Sequence, residues 1–281
     1  MIWQCCGPPD HERRHRVCDT GRTASFCPGD NLSKPPPRLW PVADPTGQPG
    51  SAVWHVDLAT IPPPGTGDPA WLPPEETARA ARFLRRADRD RFTRSHQALR
   101  YVLGRHLGRH PRDLAFRTGA HGKPELDDPA AGHLPFNLSH SANHALIGIG
   151  AAAIGVDVEA ERPITDALAI ARAHFHPGEV ADLTRLSGSA RLRAFFACWT
   201  RKEAVVKALG LGLSLPLDRF RVTLPPAEPA ILTWEQASGS EAGWSMHHLD
   251  LGPDAVGAVA IARADTPCAR YRLPPNWADA T

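Results

Sequence analysis

Between Leu192 and Leu209 the apolar residues Leu192, Phe195, Phe196, Trp199, Val206 and Leu209 recur at helical spacing and fall on one face. At about 100° per residue, Glu203 projects into the middle of that apolar arc and Lys207 onto its edge. An ionised carboxylate facing a core is costly unless something positive meets it. Two readings follow from this helix alone. Glu203 and Lys207 form an internal i,i+4 pair worth a few tenths of a kcal/mol, or Glu203 holds a partner from elsewhere.

With 281 residues the chain can bury a large core, and its length fits one or two domains. A hydrophobic content of 42% with 22% charged residues is that of an ordinary globular protein. The net charge of +2 excludes wholesale nucleic-acid binding, so any cationic function must come from local clustering. The longest apolar run, Ala145 to Val156, is Gly-rich and far too short for a membrane span. No apolar segment follows Met1, and Trp3-Gln4-Cys5-Cys6 is no signal-peptide core. These features predict a cytoplasmic protein with reduced cysteines.

Residues 1–50 differ from the rest. Pro8-Pro9, Pro35-Pro36-Pro37 and scattered Arg and Asp without periodicity predict a disordered extension. Cys5, Cys6, Cys18 and Cys27 lie here beside His11 and His15, but the paired CxxC spacing of a zinc site is absent. Order is expected from Ser51, where Ala52 to Leu58 alternates as a strand and stops at Ile61-Pro62-Pro63-Pro64. A helix opens near Pro73-Pro74-Glu75-Glu76. Along it, Arg79, Arg82, Arg85, Arg86 and Arg89 share one arc, and Ala80, Phe83, Leu84 and Ala87 another. A second helix is expected over about 91–107, a strand at Asp113–Arg117 and a turn at Gly119–Pro124. Leu134–Ser141 reads as a loop rich in hydrogen-bonding groups, before strands at His144–Ile149 and Ile154–Glu159. Helices follow at about 165–175, 178–186 and 190–209. Strand-like segments then occupy 219–224, 230–235, 243–250 and 255–263, and the tail from Thr266 is expected to be loosely held.

A coarse repeat runs through this order. The helix ending Leu103-Gly104-Arg105-His106-Leu107-Gly108 leads into Asp113–Arg117, and the helix ending Ala208-Leu209-Gly210-Leu211-Gly212 leads into Leu217–Val222. Each half also opens on a similar strand, Trp54–Leu58 and Ile154–Val158. The fold class predicted is α+β, built from two similar halves at 51–150 and 151–265 related by a pseudo-two-fold, with a tail at 266–281.

In Gly155-Val156-Asp157-Val158-Glu159 the valines face one way and the carboxylates the other, placing Asp157 and Glu159 about 7 Å apart along the strand. Alone, such a pair is an ordinary solvated face. Together with Glu203 it makes three oxygen donors without a counter-charge, a set that suits Mg²⁺ or Mn²⁺ rather than zinc. Mg²⁺ held by few protein ligands keeps positions for water and phosphate, and Lys207, one turn after Glu203, lies within reach of such a phosphate. The Arg79–Arg89 stripe, Lys123 and His140 are further cations for the same anion, although each alone reads equally as a surface or loop residue.

Four segments in this order resemble the Sfp-type 4′-phosphopantetheinyl transferases: Gly122-Lys123-Pro124, Phe136-Asn137-Leu138-Ser139-His140-Ser141, Gly155 to Glu159, and Trp199 to Gly210. Gly212 to Asp218 continues the likeness, which spans about residues 51–265. The resemblance implies coenzyme A bound in a cleft between two α+β halves. The reaction it implies moves the phosphopantetheine arm to a serine of an apo acyl or peptidyl carrier protein and releases adenosine 3′,5′-bisphosphate. It implies Asp157, Glu159 and Glu203 as Mg²⁺ ligands and Lys207 on the pyrophosphate, with Arg79, Lys123, Asn137, Ser139 and His140 at the nucleotide end. Glu203, directly or through a water, is also the candidate base for the serine hydroxyl, with Asp157 or a bound hydroxide as alternatives and Glu179 a weaker contributor. Glu76 departs from the family, where some relatives carry a basic residue. A monomer is expected, because a duplicated chain forms its cleft internally. The alternatives are a Mg²⁺-dependent nucleotide pyrophosphate hydrolase and an inactive carrier-binding module.

Overall fold

The computed structural model describes residues 50–60, 71–119, 121–129, 132–234, 243–274 and 276–277. The extension at 1–49 with its four cysteines, and the proline break at Ile61–Pro64, lie outside the described residues. Among those described the chain is α+β, with five α-helices and eleven strands. No helix among them is long and apolar enough to cross a membrane.

Strand β1 (Ser51–Asp57) buries Val53, Trp54 and Val56 at 1% exposure or less. It is followed by α1 (Pro74–Ala81) and the 22-residue α2 (Arg86–Leu107). Next come the hairpin β2 (Phe116–Thr118) and β3 (Pro124–Leu126), then β4 (Phe136–Ser141) and β5 (His144–Ile149). The second half follows a similar order with one more helix. Strand β6 (Ile154–Ala160) precedes α3 (Ala167–His174), α4 (Pro177–Thr184) and the 22-residue α5 (Gly188–Leu209). A hairpin of β7 (Phe220–Val222) and β8 (Ile231–Trp234) leads to β9 (Ser245–Asp250) and β10 (Ala255–Ile261). Both long helices stop at a left-handed glycine, Gly108 at φ 65° and Gly210 at φ 72°, where a side chain would be strained.

The first sheet runs β11-β1-β5-β4 and the second β6-β10-β9, with β11 covering Cys268–Arg272. Each sheet has its own core. Trp54, Trp71, Tyr101, Val102 and Trp277 fill the first, and Phe195, Phe196, Trp199, Val205 and Phe220 the second. A third cluster, including Val53, Leu146, Val156, Val158 and Val259, joins the two sheets. Helix α5 lies directly on β6, and a Cβ at Gly155 would fall on the Ala204 carbonyl oxygen, so the close approach requires glycine.

Four local expectations change. The segment Leu134–Ser141, expected as a loop, carries strand β4 over Phe136–Ser141. The arginines from Arg79 to Arg89 do not share one helix: α1 ends at Ala81, and Arg85 is extended (φ −93°, ψ 130°) before α2 begins. Phe83 turns back onto Phe92 with ring centroids 5.4 Å apart, whereas nine residues of continuous helix would separate them by about 13.5 Å. The strand expected at Asp113–Arg117 begins later, because Pro111 opens a 3-10 turn over Pro111–Asp113. The tail is not loose. Cys268–Arg272 pairs in parallel with Ser51–His55, covering that strand's open edge, and Trp277 packs beside Trp71 and Tyr101 at 2% exposure.

Candidate active site

The two sheets meet edge to edge at β4 and β6, and three side chains of β4 stitch them together. Asn137 Oδ1 accepts from the Val156 N–H at 2.8 Å, Ser139 Oγ from Val158 N–H at 3.3 Å and Ser141 Oγ from Ala160 N–H at 3.1 Å. The period-two geometry of both strands keeps the three rungs in step. Each serine also donates to a carboxylate: Ser139 Oγ to Asp157 Oδ1 at 2.9 Å, and Ser141 Oγ to Glu159 Oε2 at 3.0 Å.

From α5, Lys207 Nζ reaches across to Asp157 Oδ1 at 2.6 Å and to Ser139 Oγ at 3.0 Å. Lys207 thus pairs with Asp157 across the chain, and its charge also acts on Glu203, the i,i+4 neighbour on its own helix. Burial pushes the Asp157 carboxyl up against the pull of Lys207, Ser139 and the Val158 N–H. Glu159 is raised to about 8 by burial and by repulsion from Asp157. Glu203, half-buried on α5, is raised to about 7 by the same two causes, with Lys207 opposing. Asp157 Oδ2 is buried without a hydrogen-bond partner. Asp157 thus disfavours charge on both Glu159 and Glu203, and one of its own oxygens is orphaned.

As placed, no three His, Cys, Asp or Glu side chains among the described residues stand as a ready metal cage. Mg²⁺ needs only one or two protein carboxylates when waters and phosphate complete its shell. In donor chemistry the hard, under-compensated carboxylates and the orphaned Asp157 Oδ2 fit such an ion.

Of the cations expected at the nucleotide end, some converge. His140 lies close enough to Lys207, His96 and Arg91 that their charge adds to burial in lowering its pKa to about 4. Arg79 sits over the Phe92 ring at 5.1 Å and adds its charge to the surroundings of His96. Lys123 is directed elsewhere: its ammonium donates to the Ile154 and Ala208 carbonyls at 3.0 and 3.1 Å, at the carboxyl end of α5. With Gly210, it lines a separate cleft of about 570 Å³. Asn137 and Ser139 are 4% and 0% exposed, and their oxygens serve the stitching.

Other residues lay beyond sequence reasoning. Glu76, the departure noted above, clamps buried Arg100 through two contacts at 2.9 and 3.2 Å. Glu179 pairs with Lys202 at 2.9 Å with both side chains fully buried, which commits its charge to the core. His96 gave no signal beyond its residue type, whereas Ser141 ends one of the four resembling segments and its i+2 spacing from Ser139 places it on the same face of β4.

Residues 153–262 match the model of the 4′-phosphopantetheinyl transferase superfamily. The chain is 40% identical over 197 residues to the 4′-phosphopantetheinyl transferase HetI of Nostoc sp., an alignment covering 69% of this chain and 79% of that relative. To a putative 4′-phosphopantetheinyl transferase of Synechocystis sp. it is 36% identical over 209 residues, 73% of this chain and 82% of the relative. The Bacillus subtilis 4′-phosphopantetheinyl transferase Sfp is 33% identical over 155 residues, 55% and 67% of the two chains. With β6, α5 and their carboxylates all inside the matched region, the chain belongs to the 4′-phosphopantetheinyl transferase superfamily and is an enzyme of that class.

Proposed function

We propose that this enzyme transfers the 4′-phosphopantetheine arm of coenzyme A to a serine hydroxyl of an apo acyl or peptidyl carrier protein. The serine oxygen bonds to the β-phosphorus as the diphosphate bridge breaks, and adenosine 3′,5′-bisphosphate leaves. The observation that carries this reading is the under-compensated Asp157, Glu159 and Glu203 beside the Lys207 ammonium. Asp157, Glu159 and Glu203 would hold Mg²⁺, or Mn²⁺ as the alternative, which when bound neutralises charge on the diphosphate.

The chain's own residues do the rest. Lys207 presents a buried ammonium to the diphosphate, anchored by Ser139 and Asp157. Arg79, Arg91, His96 and His140 line the approach for the nucleotide. Glu203 takes the serine proton, since a carboxylate raised to about 7 accepts protons near neutrality. Ligation of a cation would weaken it as a base, so its second oxygen is the one assigned to the proton. The similar order of elements, with one helix more in the second half, supports a pseudo-two-fold relationship, with the site between β4 and β6.

The test is incubation with coenzyme A, Mg²⁺ and a panel of apo carrier proteins, followed by intact mass. A carrier gaining one phosphopantetheine supports transfer. Free phosphopantetheine with no labelled carrier in the panel would replace this reading with hydrolysis.

A further inference from the structure

We infer that Ser141 is a positioning residue that sets the orientation of Glu159 toward Asp157, an inference that rests on the proposed function. The Ser141 hydroxyl carries one proton, and the surrounding bonds fix its direction. It accepts from the Ala160 N–H at 3.1 Å, which leaves the proton for Glu159 Oε2 at 3.0 Å. Ser139 repeats the arrangement two residues earlier with the Val158 N–H and Asp157 Oδ1. Each serine therefore reads one residue of β6 through its carboxylate and the next through its backbone.

The two carboxylates do not receive equal support. Asp157 has direct contacts from Lys207 and Ser139, whereas Glu159 takes a hydrogen bond from Ser141 and, beyond it, the charge of Lys207 and Arg162. Glu159 is 4% exposed, and Asp157 repels it. Freed of its hydroxyl, the longer glutamate side chain would swing away from Asp157 along its extra torsions, and the two carboxylates would no longer face a common point. The hairpin reinforces the aim of Ser141. Its pair with His144 closes a two-residue loop in which Ala142 holds a positive φ of 50°, fixing where β4 ends.

A residue that merely stitched two sheets would affect stability alone. The experiment therefore compares Ser141→Ala, Ser141→Cys and Ser141→Thr by Mn²⁺ binding to the free protein, measured by electron paramagnetic resonance, and by the Mg²⁺ concentration giving half-maximal transfer. Melting temperature is followed in parallel. We expect Ser141→Ala to weaken Mn²⁺ binding and raise the Mg²⁺ requirement about tenfold or more, the range found when partners of metal ligands are removed. Ser141→Thr, which keeps the hydroxyl, should restore both, and saturating Mg²⁺ should recover most of kcat in Ser141→Ala. Ser141→Cys keeps the volume with a weaker donor and gives the same readout should the alanine variant not fold. A lowered melting temperature with Mn²⁺ affinity and Mg²⁺ requirement unchanged would overturn the inference. A native enzyme that transfers with no divalent ion would instead overturn the metal assignment beneath it.

Discussion

Helix α5 carries two buried lysines five residues apart, each paired with a carboxylate, and the pairs differ in what surrounds them. Lys202 donates to Glu179 at 2.9 Å, to the Leu217 carbonyl at 2.7 Å and to the Phe220 carbonyl. Glu179 in turn accepts from the Val222 N–H at 2.7 Å and the His176 N–H at 3.0 Å, so both its oxygens are engaged. That pair joins α4, α5 and β7 and has no capacity left. Lys207 and Asp157 lie equally deep, but Asp157 Oδ2 is orphaned, and Glu159 and Glu203 crowd the same charge. Burial alone therefore does not mark a functional ion pair. An incompletely satisfied pair crowded by further carboxylates is the better marker, because its leftover valence is open to water or to a bound group.

The comparison can be broken in four ways. Glu203→Gln should cut transfer by roughly 10³-fold, about 4 kcal/mol at the transition state, with the melting temperature held or raised. Near-native kcat would remove Glu203 from the reaction. Lys202→Met should instead destabilise by about 3–5 kcal/mol, because it strands the Glu179 charge in the core, while kcat per folded molecule stays native. Urea denaturation with an unchanged midpoint would show that the Lys202 pair is not structural.

The third test is pH. Glu159 and Glu203 are raised to about 8 and about 7, so between their unfolded value near 4.5 and those values the folded chain holds protons that the unfolded chain has lost. Their effect is absent below pH 4.5, and stability falls as pH rises toward 8. Denaturation at pH 5, 6.5 and 8 should show that fall, and Glu203→Gln should flatten it; parallel profiles would contradict the shared-charge account. The smallest effect is expected at Ala142→Gly. Relief of the positive φ should stabilise by up to about 1 kcal/mol, less the entropy glycine loses on folding. A lower melting temperature would show that Ala142 is not strained.

The parts legible in the sequence were those with a period. The alternation of β6 put Asp157 and Glu159 on one face, and the 3.6-residue repeat of α5 turned Glu203 toward the core, so the carboxylates could be named before any coordinates. What the pattern could not give was partnership across the chain. Nothing in periodicity pairs Lys207 with Asp157 rather than Glu203, or turns Lys123 onto the end of α5. The stitching of β4 to β6 was hidden for a similar reason, since Leu134–Ser141 reads as a polar loop until its side chains are seen to replace a backbone ladder. The arginine stripe failed because Phe83 folds onto Phe92, a tertiary contact that overrides helical continuation.

Strand β11 closes the first sheet against β1, although it comes after every other described strand, and Trp277 completes the first core. During synthesis, then, the first sheet stays one strand short until Cys268–Arg272 has left the ribosome. The wall of the site built from β4 belongs to that unfinished sheet. Nascent chains halted before Cys268 should accordingly be cut by protease within β1 far faster than the released protein, and equal resistance would speak against it. The first sheet and its core are thus completed only by the segment from Cys268 to Trp277.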